Sequence, residues 1–364
     1  MLTRQLAEEI VAQTMHRVNW NINVIDVDGS IIASGDTSRV GEYHQAAGAA
    51  IKHNRTLIIR QDQLHKWRGA QVGVNMPVHY NQQVIGAIGI TGNPEEVEPF
   101  SQLVNMTAEL LIRQHYSKLQ EEWKQMTCDM IIEALLQEPS TEASDVVNAK
   151  LEMIRHSLRP PFQMAIASFT HTSHTRIEES VPLKVRRMLE GSHVLISQSR
   201  PQRLLLLFSE TTSQGVTCKL DKLAGLLHVE TNAYRIGVGT FVSSRSEIRR
   251  SFQEAESALS CGSRSQGQVV HFNDIEGQAL IQYIPEEHRT RLEEKLLPFW
   301  NSKIEETLQC FFDCSFNLAS AANRLGIHRN TLIYRLEKVK DTTGYDPACF
   351  RDAMILQMVI WRNG

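Results

Sequence analysis

The chain has 364 residues, of which 42% are hydrophobic and 22% are charged, and its formal net charge at pH 7 is −3. This length predicts two or three domains, and the composition is that of an ordinary globular protein. The slightly acidic balance excludes a protein that coats nucleic acid along its whole length, but it leaves room for a local basic module.

The N-terminus and the cysteines indicate a cytoplasmic protein. Glu8 and Glu9 interrupt the apolar pattern at the start of the chain, so no secretory signal is predicted. The longest apolar runs, such as Leu204–Phe208, are far shorter than the roughly 20 residues that cross a membrane. The six cysteines are scattered and form no CxxC pair, as expected in a reducing compartment.

The N-terminal third predicts one antiparallel sheet with few helices. Residues 3–18 have helical periodicity, and a second helix is predicted over His44–His53. The turn signals are Asp28-Gly29 and Asn81-Gln82. Strands are predicted over Ile22–Val27, Ser30–Ser34, Thr56–Arg60, Gly73–Tyr80 and Gln83–Thr91. Such a sheet is typical of a PAS-like or profilin-like sensor.

A long helical segment follows, from Pro94 to about Gln137. The proline and the acidic Glu95 and Glu96 suit the first turn of a helix. Helices of this length are unusual within globular domains and are typical of a connecting or dimerising rod. The alternative is two ordinary helices separated by a break. The polar segment Glu138–Asp145, which contains Pro139, predicts a domain boundary.

The remainder predicts an α/β segment and then helices. Strands are predicted over Phe162–Phe169, Val194–Ser197, Leu204–Phe208 and Arg235–Phe241, with a helix from about Ser246 to Ser260. From Pro285–Pro298 onwards the pattern is helical. We therefore predict an α+β, multidomain protein: a PAS-like sensor with a long connecting helix at residues 1–138, an α/β domain at 142–275 and an all-α domain at 285–364.

The segment Asn317–Val339 has the anatomy of a helix-turn-helix. Ala321 and Ala322 are small where a second helix must approach, and Gly326 permits the tight turn. The segment from Ser315 to Lys340 contains five basic residues and one acidic residue. An ordinary charged surface helix is the alternative. The predicted DNA-binding residues are His328, Arg329, Asn330, Thr331, Tyr334, Arg335 and Lys338, with Arg329 and Asn330 suited to base edges and Arg335 and Lys338 to phosphates.

Three parts of the chain resemble the carbohydrate-diacid regulator family. His328–Val339 with Thr343–Pro347 closely resembles the C-terminal helix-turn-helix of PucR-type regulators, and it is also similar to the Fis-type DNA-binding helix pair. The middle segment looks like the family's degenerate GGDEF-like domain. The blocks that resemble the sugar-diacid recognition domain are Asn23–Asp26, Ile31–Asp36, Arg39–Gly41, His44, Gly73–Val78, Gly86–Gly92, Pro94–Val97 and Leu103–Glu109.

The resemblance implies a ligand-responsive transcriptional activator of genes for the use of sugar diacids (glucarate or galactarate) or of glycerate. It implies no catalysis, no metal and no cofactor. The hairpin Ser199–Arg203 lacks the glycines and the metal-holding acids of an active nucleotide cyclase. The expected partners are a double-stranded DNA operator, a small organic acid and a second copy in a homodimer or higher homo-oligomer. The alternatives are a ligand-independent Fis-like architectural protein and a nucleotide cyclase with a regulatory domain.

Polar and glycine-rich segments of the N-terminal domain could bind the effector. A sugar acid needs a cation or N–H donors for its carboxylates and acceptors for its hydroxyls. Arg39 could pair with a carboxylate, His44 could donate, and Asp36 could accept from hydroxyls or orient Arg39. Alternatively, Arg39 is a solvated surface charge and the glycines serve turns. The predicted ligand-binding residues are Ser34, Gly35, Asp36, Arg39, His44, Gly73, Val74, Asn75, Pro77, Gly89, Thr91 and Gly92.

Overall fold

The structure is a computed structural model that describes residues 2–16, 18–137, 141–171, 180–191, 193–261, 267–281, 284–296, 298 and 300–363. The chain divides into two compact units, Met1–Lys124 and Gln125–Gly364. The first part of the predicted boundary, residues 138–140 with Pro139, lies outside the described residues.

The first unit contains a five-stranded antiparallel sheet in the order β2-β1-β5-β4-β3. Both Asn81 and Gln82 have positive φ, 49° and 65°, in the turn between β4 and β5, as a tight hairpin requires. These two strands have the predicted bounds. The strands are β1 (Asn21–Asp26), β2 (Ile31–Ser34), β3 (Leu57–Ile59), β4 (Gly73–Tyr80) and β5 (Gln83–Thr91).

Helices cover the two faces of this sheet unequally. α1 (Arg4–Met15) and the first half of α3 (Pro94–Leu136) bury one face, where Val24, Val74 and Ile88 belong to the main core. α2 (Gln45–His53) packs on part of the opposite face, against Ile25, Ile31 and Ala87. Because side chains alternate along a strand, Asn23 lies on this second face with Ile25, and Gly89 lies on it with Ala87.

α3 is one continuous helix of 43 residues with Pro99 inside it. The alternative of two helices separated by a break is therefore wrong. The helix begins in the first unit and ends in the second, where Cys128, Ile131 and Ile132 enter a hydrophobic core.

The second unit contains a five-stranded sheet in the order β10-β9-β6-β8-β7, in which β9 and β10 are parallel and the other pairs antiparallel. α5 (Val181–Leu189) and α6 (Ser213–Glu230) pack on one face. α4 (Thr141–Met153), α7 (Ile248–Cys261) and the end of α3 pack on the other. The strands are β6 (Phe162–His171), β7 (Val194–Arg200), β8 (Arg203–Ser209), β9 (Thr231–Val238) and β10 (Gln268–His271).

The strand predicted over Arg235–Phe241 lies instead over Thr231–Val238. Gly239 still donates its N–H to the Met164 carbonyl of β6 (2.9 Å), but the regular ladder ends there, because the Thr240 N–H donates to the Glu254 carboxylate instead (2.8 Å). The helix predicted from Ser246 is confirmed as α7 with a preceding 3-10 turn.

Helices form the C-terminal part of the second unit. Gln278 joins α8 to its neighbours, since its amide nitrogen donates to the carbonyls of Cys261 (2.9 Å) and Trp361 (3.1 Å). The helices are α8 (Phe272–Leu280), α9 (Glu286–Leu296), α10 (Ser302–Asp313), α11 (Leu318–Arg324), α12 (Arg329–Thr343) and α13 (Phe350–Asn363). The predicted α+β, multidomain fold with an all-α C-terminus is confirmed.

Candidate functional sites

α11 and α12 form a helix-turn-helix around Gly326, whose φ of +63° is one that glycine adopts readily. Ala321 and Ala322 are buried in α11, and on α12 the buried face consists of Leu332, Leu336 and Val339. Fully burying a leucine contributes about 1.5–3 kcal/mol, so these residues hold α12 against α10 and α11 and leave its other face in solvent.

Six of the seven predicted DNA-binding residues are exposed: His328, Arg329, Asn330, Thr331, Tyr334 and Lys338. His328 caps α12, because its Nδ1 accepts the N–H of Asn330 (3.2 Å). The side chains at the start of α12 are therefore open to solvent at a helix N-terminus, where anions bind favourably.

Arg335 is not part of this exposed group. Its side chain is half-buried, and Nη1 donates to the Thr307 hydroxyl (3.1 Å), which joins α12 to α10. Arg335 therefore links the two helices, and its contact with a DNA phosphate stays a prediction.

Five buried polar side chains lie together in the first unit and are called here the polar cluster. They are Asn23, Ser34, Arg39, His44 and Asn75, all between 1% and 8% exposed. Strand register places Asn23 opposite both Ser34 and Gly89, and Asn75 opposite Gly89. A Cβ at Gly89 would lie 2.8 Å from Asn75 Oδ1, so glycine leaves room for polar groups there.

Hydrogen bonds connect much of the polar cluster. Ser34 Oγ donates to Asn23 Oδ1 (2.6 Å), and Asn23 Nδ2 lies 3.5 Å from Thr91 Oγ1. Thr91 Oγ1 then donates to Gln71 Oε1 (3.2 Å), which also accepts from Arg39 Nη1 (3.1 Å). The chain of contacts runs from β2 through β1 and β5 to Arg39. The cluster is therefore held by several elements of the unit rather than by one loop.

Arg39 is only 4% exposed, so it is not a solvated surface charge. Nη2 donates to the Gly69 carbonyl (2.6 Å), and Nε lies 3.4 Å from the half-exposed Glu42 carboxylate. A guanidinium has five N–H groups. Within the part of the chain that the structure describes, three of them have acceptors, which leaves two for a ligand.

His44 is a neutral donor at neutral pH. Burial, with a smaller contribution from the Arg39 charge, lowers the pKa of His44 from 6.5 to about 4. Its Nδ1 accepts the Ala47 N–H (3.2 Å) at the start of α2. A neutral imidazole that accepts at Nδ1 carries its proton on Nε2, so His44 can donate a hydrogen bond from that atom.

Asn75 contributes an acceptor, because among the described residues its buried Oδ1 has no hydrogen-bond partner. An unpaired buried acceptor costs about 1–3 kcal/mol. The polar cluster thus combines a buried cation, a neutral imidazole donor and an unused acceptor, which suits an anionic ligand that also carries a hydroxyl.

The structure does not bring all the predicted ligand-binding residues together. Gly73 and Pro77 share the face of Asn75 by alternation along β4, whereas the Val74 side chain lies in the main core on the other face. Gly35 and Asp36 are exposed, and Gly92 lies beside Trp20 and Val97.

Asp36 does not orient Arg39 by a hydrogen bond. Its carboxylate accepts from the Ser38 hydroxyl (2.6 Å) and N–H (3.1 Å), contacts that lower the pKa of Asp36. Sequence reasoning also missed Asn23 and Gln71 as cluster members. An asparagine inside the apolar run of β1 was an available signal for the first of them.

Comparison with known protein families and relatives covers most of the chain. Residues 2–135 match the sugar diacid recognition model, residues 140–261 the GGDEF-like domain, and residues 305–361 the PucR C-terminal helix-turn-helix domain. The carbohydrate diacid regulator of Escherichia coli is 23% identical, over 99% of this chain and 97% of its own length. The chain is therefore similar to a carbohydrate diacid regulator over nearly its whole length and matches three domain families. An uncharacterized protein of Haemophilus influenzae is 27% identical over 94% of both chains.

Among solved structures, a regulator of polyketide synthase expression from Bifidobacterium adolescentis is similar over 66% of this chain and 98% of its own, with a TM-score of 0.32 and 19% identity. The helix-turn-helix and sugar-diacid recognition matches, together with the Escherichia coli relative, support a DNA-binding transcriptional regulator with a small-molecule effector. Among the residues that the structure describes, no helix has the length and apolar character needed to span a bilayer.

The GGDEF-like domain of this chain has a hairpin without acids. β7 and β8 pair from Val194 to Ser209, and Arg200 lies opposite Arg203 at the tip. Arg203 of this tip pairs with the Glu256 carboxylate of α7. Within the described ranges, no group of three or more His, Cys, Asp or Glu side chains could hold a metal ion.

Proposed function

We propose that this regulator activates genes for the use of sugar diacids or glycerate when a small hydroxy-carboxylate binds the polar cluster. The observations that carry this proposal are a buried arginine with three of its five N–H groups engaged and an unpaired buried acceptor in the same polar cluster. The carboxylate would pair with Arg39, and a ligand hydroxyl would donate to Asn75 Oδ1. The name of the Escherichia coli relative supports the same class of ligand.

The charge of the polar cluster favours a single carboxylate. Arg39 is its one cation, Glu42 already offsets part of that charge, and His44 is neutral at pH 7. A second ligand carboxylate would be buried without a partner, which costs free energy unless it reaches solvent. We therefore expect glycerate to bind more tightly than glucarate or galactarate.

Calorimetric titration of the three acids into the full chain tests this proposal. In Arg39→Ala, loss of a shielded charge-assisted pair of about 1.5–3 kcal/mol weakens binding about 10- to 150-fold. Arg55→Ala, which removes an exposed arginine of the same unit, is the matched control and keeps wild-type affinity. If none of the acids binds the wild type, the sensor proposal fails. If Arg39→Ala binds equally well, only the role of Arg39 fails.

We propose that α12 enters the major groove of an operator with its N-terminal residues at the base edges. Arg329 and Asn330 have the bidentate chemistry for guanine and adenine. His328, Thr331, Tyr334 and Lys338 would contact flanking groups and phosphates. Arg335, which also links α12 to α10 through Thr307, would contact a phosphate.

We propose a homodimer formed through an exposed apolar face of α3, called here the α3 stripe: Phe100, Leu103, Met106 and Leu110, which are 48–67% exposed. Three glutamates, Glu95, Glu96 and Glu98, precede the stripe, and the basic Arg113 and Lys118 follow it. An antiparallel second copy places the acidic end of one helix against the basic end of the other. A parallel copy would put like charges together, so we favour the antiparallel arrangement.

The GGDEF-like domain is proposed to be non-catalytic, because its hairpin tip offers arginines where a cyclase needs carboxylates for Mg²⁺. No cyclic dinucleotide is expected from GTP and Mg²⁺, and detectable product would refute this. A ligand-independent architectural protein is the other candidate. It predicts equal operator affinity with and without glycerate. As domain limits we retain residues 1–138, 142–275 and 285–364.

A further inference from the structure

A small cavity lies in the second unit, at the end of the sheet away from the β7–β8 hairpin. Its volume is about 110 Å³. Gln163 at the start of β6 and Gly239 just beyond β9 form its floor, and the first turns of α6 and α8 form its walls. Ser168, which pairs with Arg203 of the hairpin, is five residues further along β6. At about 3.3 Å per residue, the cavity is therefore roughly 16 Å from the hairpin.

Gln163 lines this cavity and carries an unpaired acceptor. The residue is only 5% exposed, and its Nε2 donates to the Gly239 carbonyl (2.7 Å). Because only the nitrogen can donate to a carbonyl, this bond fixes the orientation of the amide. Oε1 then faces away from Gly239, and no donor for it exists among the described residues. A ligand with a hydroxyl or ammonium group would satisfy this oxygen.

Two helix N-termini supply donors to the same cavity. α6 has 18 residues and begins at Ser213, and α8 has 9 residues and begins at Phe272. The side chain of His271 makes no capping hydrogen bond to α8. The first-turn N–H groups of a helix lack intrahelical partners and attract negative charge. At α6 the Thr212 hydroxyl already accepts the N–H of Gly215 (3.2 Å), so the first turn of α8 and the remaining first-turn N–H groups of α6 favour a carboxylate or another small anion.

The carboxylates near the cavity lie outside its lining. Among the described residues, the lining contains no Asp, Glu, Lys or Arg side chain. Asp274, in the first turn of α8, is exposed and does not line the cavity. Glu254 lies behind Thr240, whose N–H and hydroxyl both bind its carboxylate.

The size of the cavity restricts the ligand. An apolar cavity of about 150 Å³ holds a molecule of six carbon atoms, and drug-sized ligands occupy about 300 Å³ or more. The present cavity therefore suits a ligand of about five to seven non-hydrogen atoms. We propose that it is a second effector site, for a small carboxylate with a hydroxyl or amino group at C2. The carboxylate lies at the two helix N-termini, and the hydroxyl or ammonium donates to Gln163 Oε1.

Calorimetric titration of the full chain with L-lactate, L-alanine and propionate tests this site. Lactate and alanine distinguish a hydroxyl from an ammonium donor, and propionate lacks both. We expect lactate or alanine to bind, and propionate to bind at least tenfold more weakly. No binding of lactate or alanine would overturn the proposal, as would equal binding of propionate. A cavity that holds only ordered water gives the first of these outcomes.

Two variants probe opposite ends of the cavity. Gln163→Met removes the acceptor. Ser213→Pro removes one N–H at the first position of α6, where proline is well tolerated in helices. Each is expected to weaken binding at least tenfold, and Gln202→Met, which changes an exposed glutamine, is the control. If Gln163→Met fails to fold, Ser213→Pro decides alone, and wild-type affinity in that variant overturns the site.

The Arg39→Ala variant separates this site from the polar cluster. Binding at the cavity keeps its affinity in Arg39→Ala and loses it in Gln163→Met. The reverse pattern would mean that the acid binds the polar cluster, which would overturn the second site while leaving the proposed function standing.

Discussion

Acid should destabilise the first unit through His44. Its pKa in the folded chain is about 4, against an ordinary value of 6.5, because burial and the Arg39 charge disfavour the imidazolium. The unfolded chain therefore takes up a proton between these two values while the folded chain does not. Because the pKa of His44 is lowered in the folded chain, its contribution to the free energy of unfolding is fully present above pH 6.5. This contribution is lost as the pH falls towards 4.

The size of this loss follows from the two pKa values. Each unit of difference corresponds to about 1.4 kcal/mol, so the full loss at pH 4 is on the order of 3 kcal/mol. His44→Asn removes the titration and keeps an acceptor for the N–H of Ala47, because asparagine is among the preferred N-cap residues. Relative to this variant, the wild type should lose about 1.4 kcal/mol per pH unit below 6.5.

Urea unfolding at pH 7, 6, 5 and 4.5 measures this difference for the first unit when Trp123, Trp300 and Trp361 are changed to Phe in all proteins compared, so that the fluorescence is that of Trp20 and Trp67. The carboxylates titrate in both proteins, so their contributions to the free energy of unfolding cancel in the comparison. His53→Asn, which changes an exposed histidine at the end of α2, should behave as the wild type. If the free energies of wild type and His44→Asn change in parallel with pH, the buried neutral imidazole is refuted.

Three further predictions concern DNA binding, assembly and the helix-turn-helix core. Arg329→Ala should weaken binding to an operator selected from a random-sequence library by about 1–3 kcal/mol in fluorescence anisotropy, with no change in melting temperature; unchanged affinity contradicts the proposed base contact. Leu103→Glu should give a monomer by light scattering at micromolar concentration, whereas Leu119→Glu, an exposed leucine on another face of α3, should remain dimeric; a monomeric wild type contradicts the interface. Leu332→Ala should cost about 2–5 kcal/mol of stability by thermal melting, because this leucine is fully buried; a cost below 1 kcal/mol would mean that α12 does not pack as described.

The hairpin of β4 and β5 and the helix-turn-helix were predictable because local signals specify them. Asn81 and Gln82 separate two apolar runs with strand alternation, and the small residues, the turn glycine and the apolar stripe of α12 occur at fixed spacing. α6 was not predicted, although Val216, Leu220, Leu223 and Leu227 are buried at intervals that suit a helix. Its polar first turn, with Gly215, resembles a loop in composition.

The polar cluster could be predicted only in part, because strand register brings it together. Ser34 and Asn75 belong to sequence blocks that were visible, but Asn23 joins them through pairing with β2 and β5, which one sequence does not reveal. The same holds for Arg39. A solvated surface charge was the alternative to its predicted role in ligand binding, and the contacts that exclude this alternative are with Gln71 and Gly69, 32 and 30 residues away.

The two proposed ligand sites share one feature: each contains a buried acceptor without a donor in the described part of the chain. Asn75 Oδ1 and Gln163 Oε1 are buried without donors among the described residues. Asn105 Oδ1 is also unpaired among the described residues. No described contact places a buried cation or a pair of helix N-termini beside it. A buried acceptor costs about 1–3 kcal/mol until a donor arrives, so a ligand that supplies one stabilises the folded state by mass action. Because the two acceptors belong to different units, their ligands should raise the unfolding temperatures of different transitions. A ligand of the polar cluster should shift the transition that Trp20 and Trp67 report. A ligand of the cavity should shift the transition that Trp300 and Trp361 report.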